Sequence, residues 1–325
     1  MRILLDGYAD NNFGDDLMLT LAAMGLGEHE LYTFSDKLHI ANVEHTQAKS
    51  GFDAYLKVTG SGFLIHNNMG MLYRLRDMRA ERKYAPKRTV INCNISQFIN
   101  KTAEKLIQRQ LASYDFITVR DTASCDYIRK KLPQTYCEKY PDMVFSLPDS
   151  MIPDVNTENA LGIAVHNSAD CAALSQVADG YIKETGKKVI LLCFDTGLEN
   201  DTKAAEKVYG GAEYKSMIEI TRYTGISDML ANMKRCGVII GIRLHSVILA
   251  ARMNIPFVPM AYSDKTINAL KEIDYNGAVY PSEGFDAEAV LQDVINAKPC
   301  DMDKKIITEA EKHIKEFEKY LKRQG

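Results

Sequence analysis

Three basic or titratable side chains stand close together in the second half of the sequence. Arg243 and His245 interrupt the apolar stretch IGIRLHSVILAARMNIPFVPMAY (residues 240–262), and Lys265 follows that stretch. Burying a charge among apolar residues is costly unless the charge has a partner. These side chains therefore either pair with carboxylates of the protein or bind an anion that arrives from solvent. The sequence alone leaves both alternatives open.

The spacing of Arg243 and His245 favours a joint role. If the strand extends as far as His245, both side chains point to the same side, because side chains alternate along a strand. Ser246 then starts a helix over Val247–Asn254, whose amino end adds partial positive charge. A guanidinium, an imidazole and a helix terminus together describe an anion site with a proton donor. A histidine without such neighbours is more often a structural residue.

A second arginine stands where a strand is expected to meet a helix. In ITVRDTAS the strand ends at Arg120, and a helix over Ala123–Lys131 follows, capped by Asp121 or Thr122. Arg120 either pairs with a neighbouring carboxylate, Asp121 or Asp126, or contacts a carboxylate or phosphate of a ligand. The planar fork of its guanidinium suits the ligand contact, because two parallel hydrogen bonds can form.

Two glycine-containing turns follow strands nearer the amino end. In GYADNNFGDD, Gly14 permits a tight turn and Asp15 or Asp16 can cap the helix that follows. The run Gly60-Ser61-Gly62 follows the strand AYLKV, and its glycines allow a backbone to approach a ligand closely. Neither turn is a dinucleotide or ATP fingerprint, so a plain turn remains the alternative for both.

The composition excludes several classes of protein. The chain has 325 residues, 46% of them hydrophobic and 26% charged, which is typical of a soluble globular protein. A net charge of −3 gives no basic footprint for nucleic acid. The seven cysteines form no CxxC pair and no zinc-like grouping, which indicates reduced thiols in a cytosol and predicts no metal. The apolar stretch at the start of the chain is too short for a signal peptide, and no apolar run is long enough to span a membrane. We predict a cytoplasmic protein.

Short apolar runs alternate with helical patterns along the whole chain. This alternation predicts βαβ units, and therefore an α/β fold with parallel sheets covered on both faces. The predicted strands are Arg2–Asp6, Glu30–Phe34, Ala54–Thr59, Thr89–Asn94, Phe116–Val119, Leu161–Val165, Val189–Phe194, Glu213–Met217, Val238–Ile242 and Phe257–Met260. The predicted helices include Leu17–Gly25, Thr102–Ser113, Ala172–Thr185, Ser227–Cys236 and Ala287–Ala297.

A break rich in Pro, Asp and Asn, LPDSMIPDVNTENA, divides this alternation into two halves. We predict a Rossmann-like domain over residues 1–152, a second over 153–300, and a terminal amphipathic helix within 301–325 that packs on the body. That helix should run from about residue 304 to 322, because apolar residues form one stripe there. Each domain should be doubly wound, and the ligand should lie in the cleft that they face.

In this order, the motifs resemble the polysaccharide pyruvyl transferase family. The matching blocks are NNFGDD, GSGFL, VRDTAS, YPDMVFSL and RLHSVILAARMNIPFVPMAYSDK. The last is the most specific, since it combines an Arg-Leu-His run, a small-residue helix, a Pro-bearing strand and Tyr-x-x-Lys. The resemblance implies a fold similar to GT-B glycosyltransferases, with two Rossmann-like domains facing a cleft.

The resemblance also implies an activity. Members of that family move pyruvate from phosphoenolpyruvate onto two hydroxyls of a sugar, forming a ketal and releasing phosphate. The implied partners are phosphoenolpyruvate as a co-substrate and a sugar or oligosaccharide acceptor, free or lipid-linked, of a cell-envelope or exported polysaccharide. No cofactor and no nucleic acid are implied, and the implied location is the cytoplasm or the inner face of the membrane.

Roles are carried over to the residues that match the family's motifs. His245 matches the proposed acid or base, which suits a histidine with an ordinary pKa near ~6.5. The positions that match donor-binding residues are Arg120, Arg243, Leu244 and Lys265. Contacts to the acceptor or within loops are expected at Asn12, Gly14, Asp15, Gly60, Ser61, Gly62 and Asp142. The acceptor side departs from the family's pattern, since one loop reads Gly-Ser-Gly rather than three glycines and a Gly-Pro segment is replaced by NCNISQF.

Two other functions fit the same residues. A GT-B-type glycosyltransferase would use the arginines and the lysine to hold the diphosphate of a nucleotide sugar. A non-catalytic glycan- or nucleotide-binding protein could keep the scaffold and lose the chemistry. Donor binding would separate the enzymes: if phosphoenolpyruvate protects the protein and nucleotide sugars do not, pyruvyl transfer is favoured over glycosyl transfer. Release of phosphate from phosphoenolpyruvate in the presence of an acceptor would exclude the non-catalytic binding protein.

Overall fold

The computed structural model describes residues 1–37, 39–60, 63, 65, 67–95 and 98–323. The chain forms two compact units. The first comprises Met1–Ala9, Asp15–Ser146 and Ile307–Gly325, and the second comprises Asp10–Gly14 and Leu147–Ile306. The main segment of the second unit thus begins at Leu147, whereas the sequence predicts residue 153. Asp10–Gly14 groups with the second unit although it lies within the predicted first domain, and the end of the chain groups with the first unit.

The sheet of the first unit is parallel throughout its recorded pairings, in the order β3-β2-β1-β4-β5-β6-β7. Its strands are β1 Arg2–Gly7, β2 Glu30–Thr33, β3 Val43–His45, β4 Ala54–Val58, β5 Lys87–Cys93, β6 Phe116–Val119 and β7 Cys137–Lys139. Its connecting helices are α1 Phe13–Gly25, α2 Asn68–Tyr84, α3 Lys101–Leu111 and α4 Thr122–Lys131. This is the Rossmann order, in which the chain changes direction between β1 and β4.

The sheet of the second unit has the same logic, in the order β10-β9-β8-β11-β12-β13. Its strands are β8 Ala160–Ala164, β9 Val189–Cys193, β10 Ile218–Arg222, β11 Cys236–Gly241, β12 Phe257–Ala261 and β13 Tyr280–Pro281. The helices that follow β8 in the chain are α5 Cys171–Thr185, α6 Thr202–Gly211, α7 Ile226–Arg235, α8 Leu244–Arg252, α9 Asp264–Glu272, α10 Ala287–Asn296, α11 Lys305–Ala310 and α12 Lys312–Arg323. The switch point lies between β8 and β11, so a ligand is expected beyond their carboxyl ends.

The predicted α/β class with two doubly wound sheets is confirmed. Buried strands such as β8 (ALGIA) and β9 (VILLC) are covered on both faces, which is why they read as unbroken apolar runs. The predicted strand Glu213–Met217 is wrong: Met217 N bonds Tyr214 O at 2.9 Å and closes a 3₁₀ turn, and the alternating run IEITR forms β10 instead.

Two predicted helix boundaries are also wrong. Helix α1 begins at Phe13, so Asp15 and Asp16 lie in its first turn rather than at its cap. Asn12 takes that place, since its Oδ1 accepts a hydrogen bond from Gly14 N at 3.1 Å. The predicted single terminal helix is two helices, because a turn at Glu311 separates α11 from α12. None of the described helices is long and apolar enough to cross a lipid bilayer.

Candidate functional site

The Arg-Leu-His run forms the junction between β11 and α8. The strand ends at Gly241, Arg243 is the N-cap residue with extended backbone, and Leu244 begins the helix. The prediction of a strand reaching His245 with a helix starting at Ser246 is therefore wrong. Ser246 N bonds Arg243 O at 3.0 Å, and its hydroxyl bonds the same oxygen at 2.6 Å, so the turn closes two residues earlier than predicted.

The guanidinium of Arg243 is held by two carboxylates. Its Nε lies 3.2 and 3.0 Å from the two oxygens of Asp201, and its terminal nitrogens bond Asp201 and Glu199. Asp201 is fully buried, whereas half of the Glu199 side chain is exposed. The first alternative of the sequence analysis, internal pairing, is thus present. Glu199 is the partner that is open to solvent.

Electrostatics set the two carboxylates apart. A hydrogen bond from His166, together with the attraction of Arg243, outweighs burial and lowers the pKa of Glu199 to about 2. Burial raises the pKa of Asp201 even though Arg243 opposes it. For Arg243 itself, burial disfavours the charge, but Asp201 and Glu199 outweigh burial and raise its pKa. Arg243 and Glu199 are therefore both charged at neutral pH.

The loop after β9 positions both carboxylates. Asp195, which is buried, accepts hydrogen bonds at Oδ1 from Gly197 N at 2.8 Å and Asn200 N at 3.4 Å. The loop closes where Asp201 N donates to the main-chain oxygen of Asp195 at 2.7 Å and Asp195 N donates to Asp201 Oδ2 at 2.9 Å. A short polar loop thereby fixes an acidic pair at the carboxyl end of a parallel sheet. Asp195, Glu199 and Asp201 were not predicted as site residues from the sequence.

An aromatic pair completes this edge of the sheet. His166 follows β8 and stacks on Tyr262, which follows β12, with ring centroids 4.3 Å apart and an interplanar angle of 15°. Ser168 N donates to His166 Nδ1 at 3.1 Å, so Nε2 carries the proton in the neutral ring. That Nε2 faces Glu199 Oε2 at 3.5 Å. His166 was not predicted, although it is a polar residue directly after a buried strand, as Arg120 and Arg243 are.

His245, the second residue of α8, packs against Gly14 in the amino-terminal turn of α1. A Cβ placed on Gly14 would lie 2.5 Å from His245 Cε1, closer than real side chains approach. Gly14 is therefore glycine because the imidazole occupies the space of a side chain. Asn12 anchors the same turn, since its Nδ2 donates to Asp195 Oδ2 at 3.0 Å and its backbone forms an antiparallel bridge with Asp195. The structure thus brings Asn12, Gly14 and His245 together in the second unit.

The remaining predicted residues of the second unit are helix-start positions. Leu244 is buried at the first position of α8. Lys265 is the second residue of α9, which follows β12, the neighbour of β11 in the sheet. Since parallel strands have their carboxyl ends at the same edge of a sheet, Lys265 and Arg243 both lie at that edge.

Arg120 and Asp142 form a buried ion pair in the first unit. Arg120 follows β6, and its Nη1 lies 2.5 Å from Asp142 Oδ2, with both side chains less than a tenth exposed. A Cβ on Gly60 would lie 2.9 Å from the same Nη1, so this glycine makes room for the guanidinium. Asp121 caps α4 through Ser124 N, as predicted, but it is not the ion-pair partner. Asp15 lies in the first turn of α1, while Ser61 and Gly62 lie outside the described residues.

A histidine of the terminal helix contacts the two segments that carry this ion pair. His313 is fully buried, with Nδ1 2.6 Å from the Thr118 hydroxyl and Nε2 2.9 Å from Pro141 O. Because a carbonyl only accepts, Nε2 carries the proton and Nδ1 accepts from Thr118. Burial lowers the pKa of His313 to about 4, against the opposing effects of Pro141 and Asp142. The helix therefore contacts the residues that come just before Arg120 and just before Asp142 in the chain.

Among the residues that the structure describes, no group of three or more His, Cys, Asp or Glu side chains is placed to hold a metal ion.

Comparison with known proteins gives a family and a fold. Residues 12–264 match the family model described as "Polysaccharide pyruvyl transferase". No curated protein matches the sequence.

Similar solved structures include two UDP-N-acetylglucosamine 2-epimerases, a putative one from Listeria monocytogenes and one from Methanocaldococcus jannaschii. The first has a TM-score of 0.64 at 8% identity over 99% of this chain and 96% of that chain. The second has a TM-score of 0.61 at 10% identity over 98% and 100%. Sucrose-phosphate synthase from Thermosynechococcus elongatus has a TM-score of 0.54 at 9% identity, over 98% of this chain and 94% of that chain. At these identities the likeness shows the fold alone: a two-domain Rossmann-like α/β fold of the GT-B type.

Proposed function

The chain belongs to the polysaccharide pyruvyl transferase family, and we propose that it moves pyruvate from phosphoenolpyruvate onto two hydroxyls of a sugar. The product is a ketal in a cell-envelope or exported polysaccharide, or in its lipid-linked precursor, and phosphate is released. The observation that carries this proposal is the Arg-Leu-His run, which presents an imidazole and a guanidinium within three residues at a strand-to-helix junction.

The chemistry requires a proton donor and an anion holder. The double bond of phosphoenolpyruvate takes a proton at its methylene carbon, which leaves an oxocarbenium-like centre at the adjacent carbon. One sugar hydroxyl adds there and loses its proton. Phosphate then leaves with its bonding electron pair, and the second hydroxyl closes the ketal and loses its proton. We assign one of these proton transfers to His245, because a histidine can donate and accept near neutral pH.

Arg243 is the proposed holder of a donor oxyanion. A carboxylate or phosphate can form the bidentate contacts that the guanidinium now makes with protein carboxylates. The buried Asp201 keeps Arg243 in place throughout, while the half-exposed Glu199 gives up its contact to the ligand. Glu199 thus keeps the arginine charge paired until the donor arrives, which avoids an isolated buried cation.

Further donor contacts are proposed at Arg120, Leu244 and Lys265. A donor that carries a carboxylate and a phosphate suits two arginines and a lysine, and Arg120, Leu244 and Lys265 match the family's motifs. Contacts to the acceptor or within loops are proposed for the positions predicted from the sequence, which are Asn12, Gly14, Asp15, Gly60, Ser61, Gly62 and Asp142. Because Asp142 neutralises Arg120, a single substitution there alters the charge of the pair as well as its geometry.

Phosphate release tests the proposal. Purified protein should release phosphate from phosphoenolpyruvate only when a suitable oligosaccharide from an acceptor panel is present. The acceptor should gain the mass of one pyruvate less one water. His245→Gln should keep the fold and lose about 10²- to 10⁴-fold in turnover, the usual contribution of general acid–base catalysis. A folded, fully active Gln variant would remove His245 from the mechanism. Consumption of a nucleotide sugar without phosphoenolpyruvate would replace pyruvyl transfer by glycosyl transfer.

A further inference from the structure

Helix α2 exposes large apolar side chains on a protein surface where few are expected in one place. Met69, Leu72, Tyr73 and Leu75 are 55, 60, 54 and 39% exposed, and all four lie in the first half of the helix. Single exposed apolar residues need no explanation, but a contiguous group indicates an interaction site. Ile99, just before α3, is a further exposed apolar residue at 46%.

The exposed charged residues of α2 and α3 are all basic. They are Arg76, Arg79, Arg82, Lys83, Lys101, Lys105 and Arg109. The two helices pack against each other, and side chains from both, such as Met78 and Leu106, enter one core cluster. Since both helices belong to successive right-handed crossovers of one sheet, they lie on the same face of it. The result is a local basic surface in a chain whose net charge is −3.

The acidic residues of these helices do not balance this surface. Glu81 is buried and bonds Lys57 Nζ at 3.1 Å and Tyr114 OH at 3.0 Å. Glu104 is partly buried and pairs with Lys131 at 3.6 Å. Asp77 is partly buried. The apolar half and the basic half of the exposed surface of α2 follow each other along the helix, and the carboxylate between them, Asp77, is partly buried.

We propose that the exposed face of α2, with the basic side chains of α3, docks on the surface of an anionic lipid bilayer. Interfacial helices bury apolar side chains among the lipid headgroups while Lys and Arg reach anionic phosphates, and this combination matches the face described above. A second copy of the chain is a poorer occupant, because a twofold contact uses the same surface of both copies and would bring two basic surfaces together. This docking is independent of the pyruvyl transfer proposed above.

Co-sedimentation with vesicles tests the docking on the full chain. The protein should bind vesicles of phosphatidylcholine with phosphatidylglycerol and should not bind phosphatidylcholine alone. Raising the salt concentration should weaken binding, because it screens the phosphate contacts. Arg76→Glu with Arg79→Glu should reduce the partition coefficient at least tenfold, since each cation near such a surface contributes roughly fivefold. Leu72→Ser with Tyr73→Ser should also release the protein.

Matched controls separate docking from general effects. Lys203→Glu with Lys207→Glu changes the net charge equally on exposed positions of α6, and Tyr209→Ser with Ile295→Ser removes exposed apolar groups elsewhere. Both pairs should bind vesicles as the wild type does, and circular dichroism should show all variants folded. Equal binding to both vesicle types, or no binding at all, overturns the proposal. Equal losses in the control pairs also overturn it, as does a dimer in light scattering that the α2 variants abolish.

Discussion

At the residue scale, the proposed donor site depends on a buried cation, Arg243, that the protein's own carboxylates already pair. Removing one partner of a buried pair commonly costs several kcal/mol, because the remaining charge is left uncompensated. Arg243 keeps two partners that differ in exposure: Asp201 is sealed in the core and Glu199 faces solvent. An incoming anion can therefore replace one carboxylate while the other holds the side chain.

This difference predicts opposite outcomes for Glu199 and Asp201. Glu199→Gln should lower the KM for phosphoenolpyruvate about three- to tenfold, because the donor no longer displaces an ion pair worth on the order of 1 kcal/mol. Asp201→Asn should instead lower the melting temperature, since it weakens the buried contact. Glu158→Gln is the control, because Glu158 is a partly exposed partner of Arg235 elsewhere in the same unit. A higher KM in Glu199→Gln would show that Glu199 stays on Arg243 in the complex.

Gly14 gives a second residue-scale prediction. Gly14→Ala should lose at least tenfold in turnover, because the new methyl group pushes the imidazole of His245 from its place. Helix propensity acts in the other direction, favouring Ala over Gly by about 1 kcal/mol within α1. Steady-state kinetics and a thermal melt on the same preparation separate the two effects. Gly210→Ala is the control, since nothing lies within 4 Å of a Cβ there. Unchanged turnover in Gly14→Ala would show that the space at Gly14 does not set the position of His245 during catalysis.

At the element scale, the terminal helix α12 is more than the cover that its apolar stripe predicts. Phe317 and Leu321 are buried as the stripe predicts, but His313 is equally buried, and a histidine gives no apolar signal. Its two hydrogen bonds join α12 to the end of β6 and to the segment before Asp142. The family match ends at residue 264, so this support lies in a part of the chain that the family model does not cover.

His313 makes stability depend on pH. Its pKa is about 4 in the folded protein and 6.5 as the ordinary value, so the unfolded chain binds the extra proton between these values. Unfolding is then favoured as the pH falls from about 6.5 towards 4, and the loss amounts to roughly 3 kcal/mol at most. Urea unfolding at several pH values should show this slope, and His313→Gln should flatten it. An identical slope in the variant would assign the pH dependence to other groups.

The elements that were predicted well share a physical reason. A strand buried on both faces must be apolar throughout, so β6, β9 and β12 are visible in the sequence. The edge strands β3 (VEH) and β7 (CEK) are short and partly exposed, and they carry no such run. Helix starts were placed too late at α1 and α8, because asparagine and arginine occupy the N-cap positions and the polar first turns resemble loops.

At the scale of the whole molecule, both units place polar residues where a Rossmann sheet binds ligands. Arg120, Arg243 and Asp142 were predicted as site residues from the order of the motifs, and the structure places each of them after a strand of its sheet. His166, Glu199 and Asp201 could not be found that way, although each follows a buried strand of the second sheet. Reading every first polar residue after a buried strand would have found His166. Glu199 and Asp201 can be recognised only once the loop that carries them is known in three dimensions. The hydrogen bonds that close this loop at Asp195 place the carboxylates beside Arg243.

Donor identity is the central claim, and calorimetric titration tests it most directly because no acceptor is needed. Phosphoenolpyruvate should bind the wild-type protein, and a UDP-sugar should not. Arg243→Lys should weaken phosphoenolpyruvate binding at least tenfold, because a point charge cannot replace the bidentate fork. His245→Gln should bind nearly as well as the wild type, since it retains a hydrogen-bonding side chain. Binding of a UDP-sugar without phosphoenolpyruvate, or wild-type affinity in Arg243→Lys, would contradict the account.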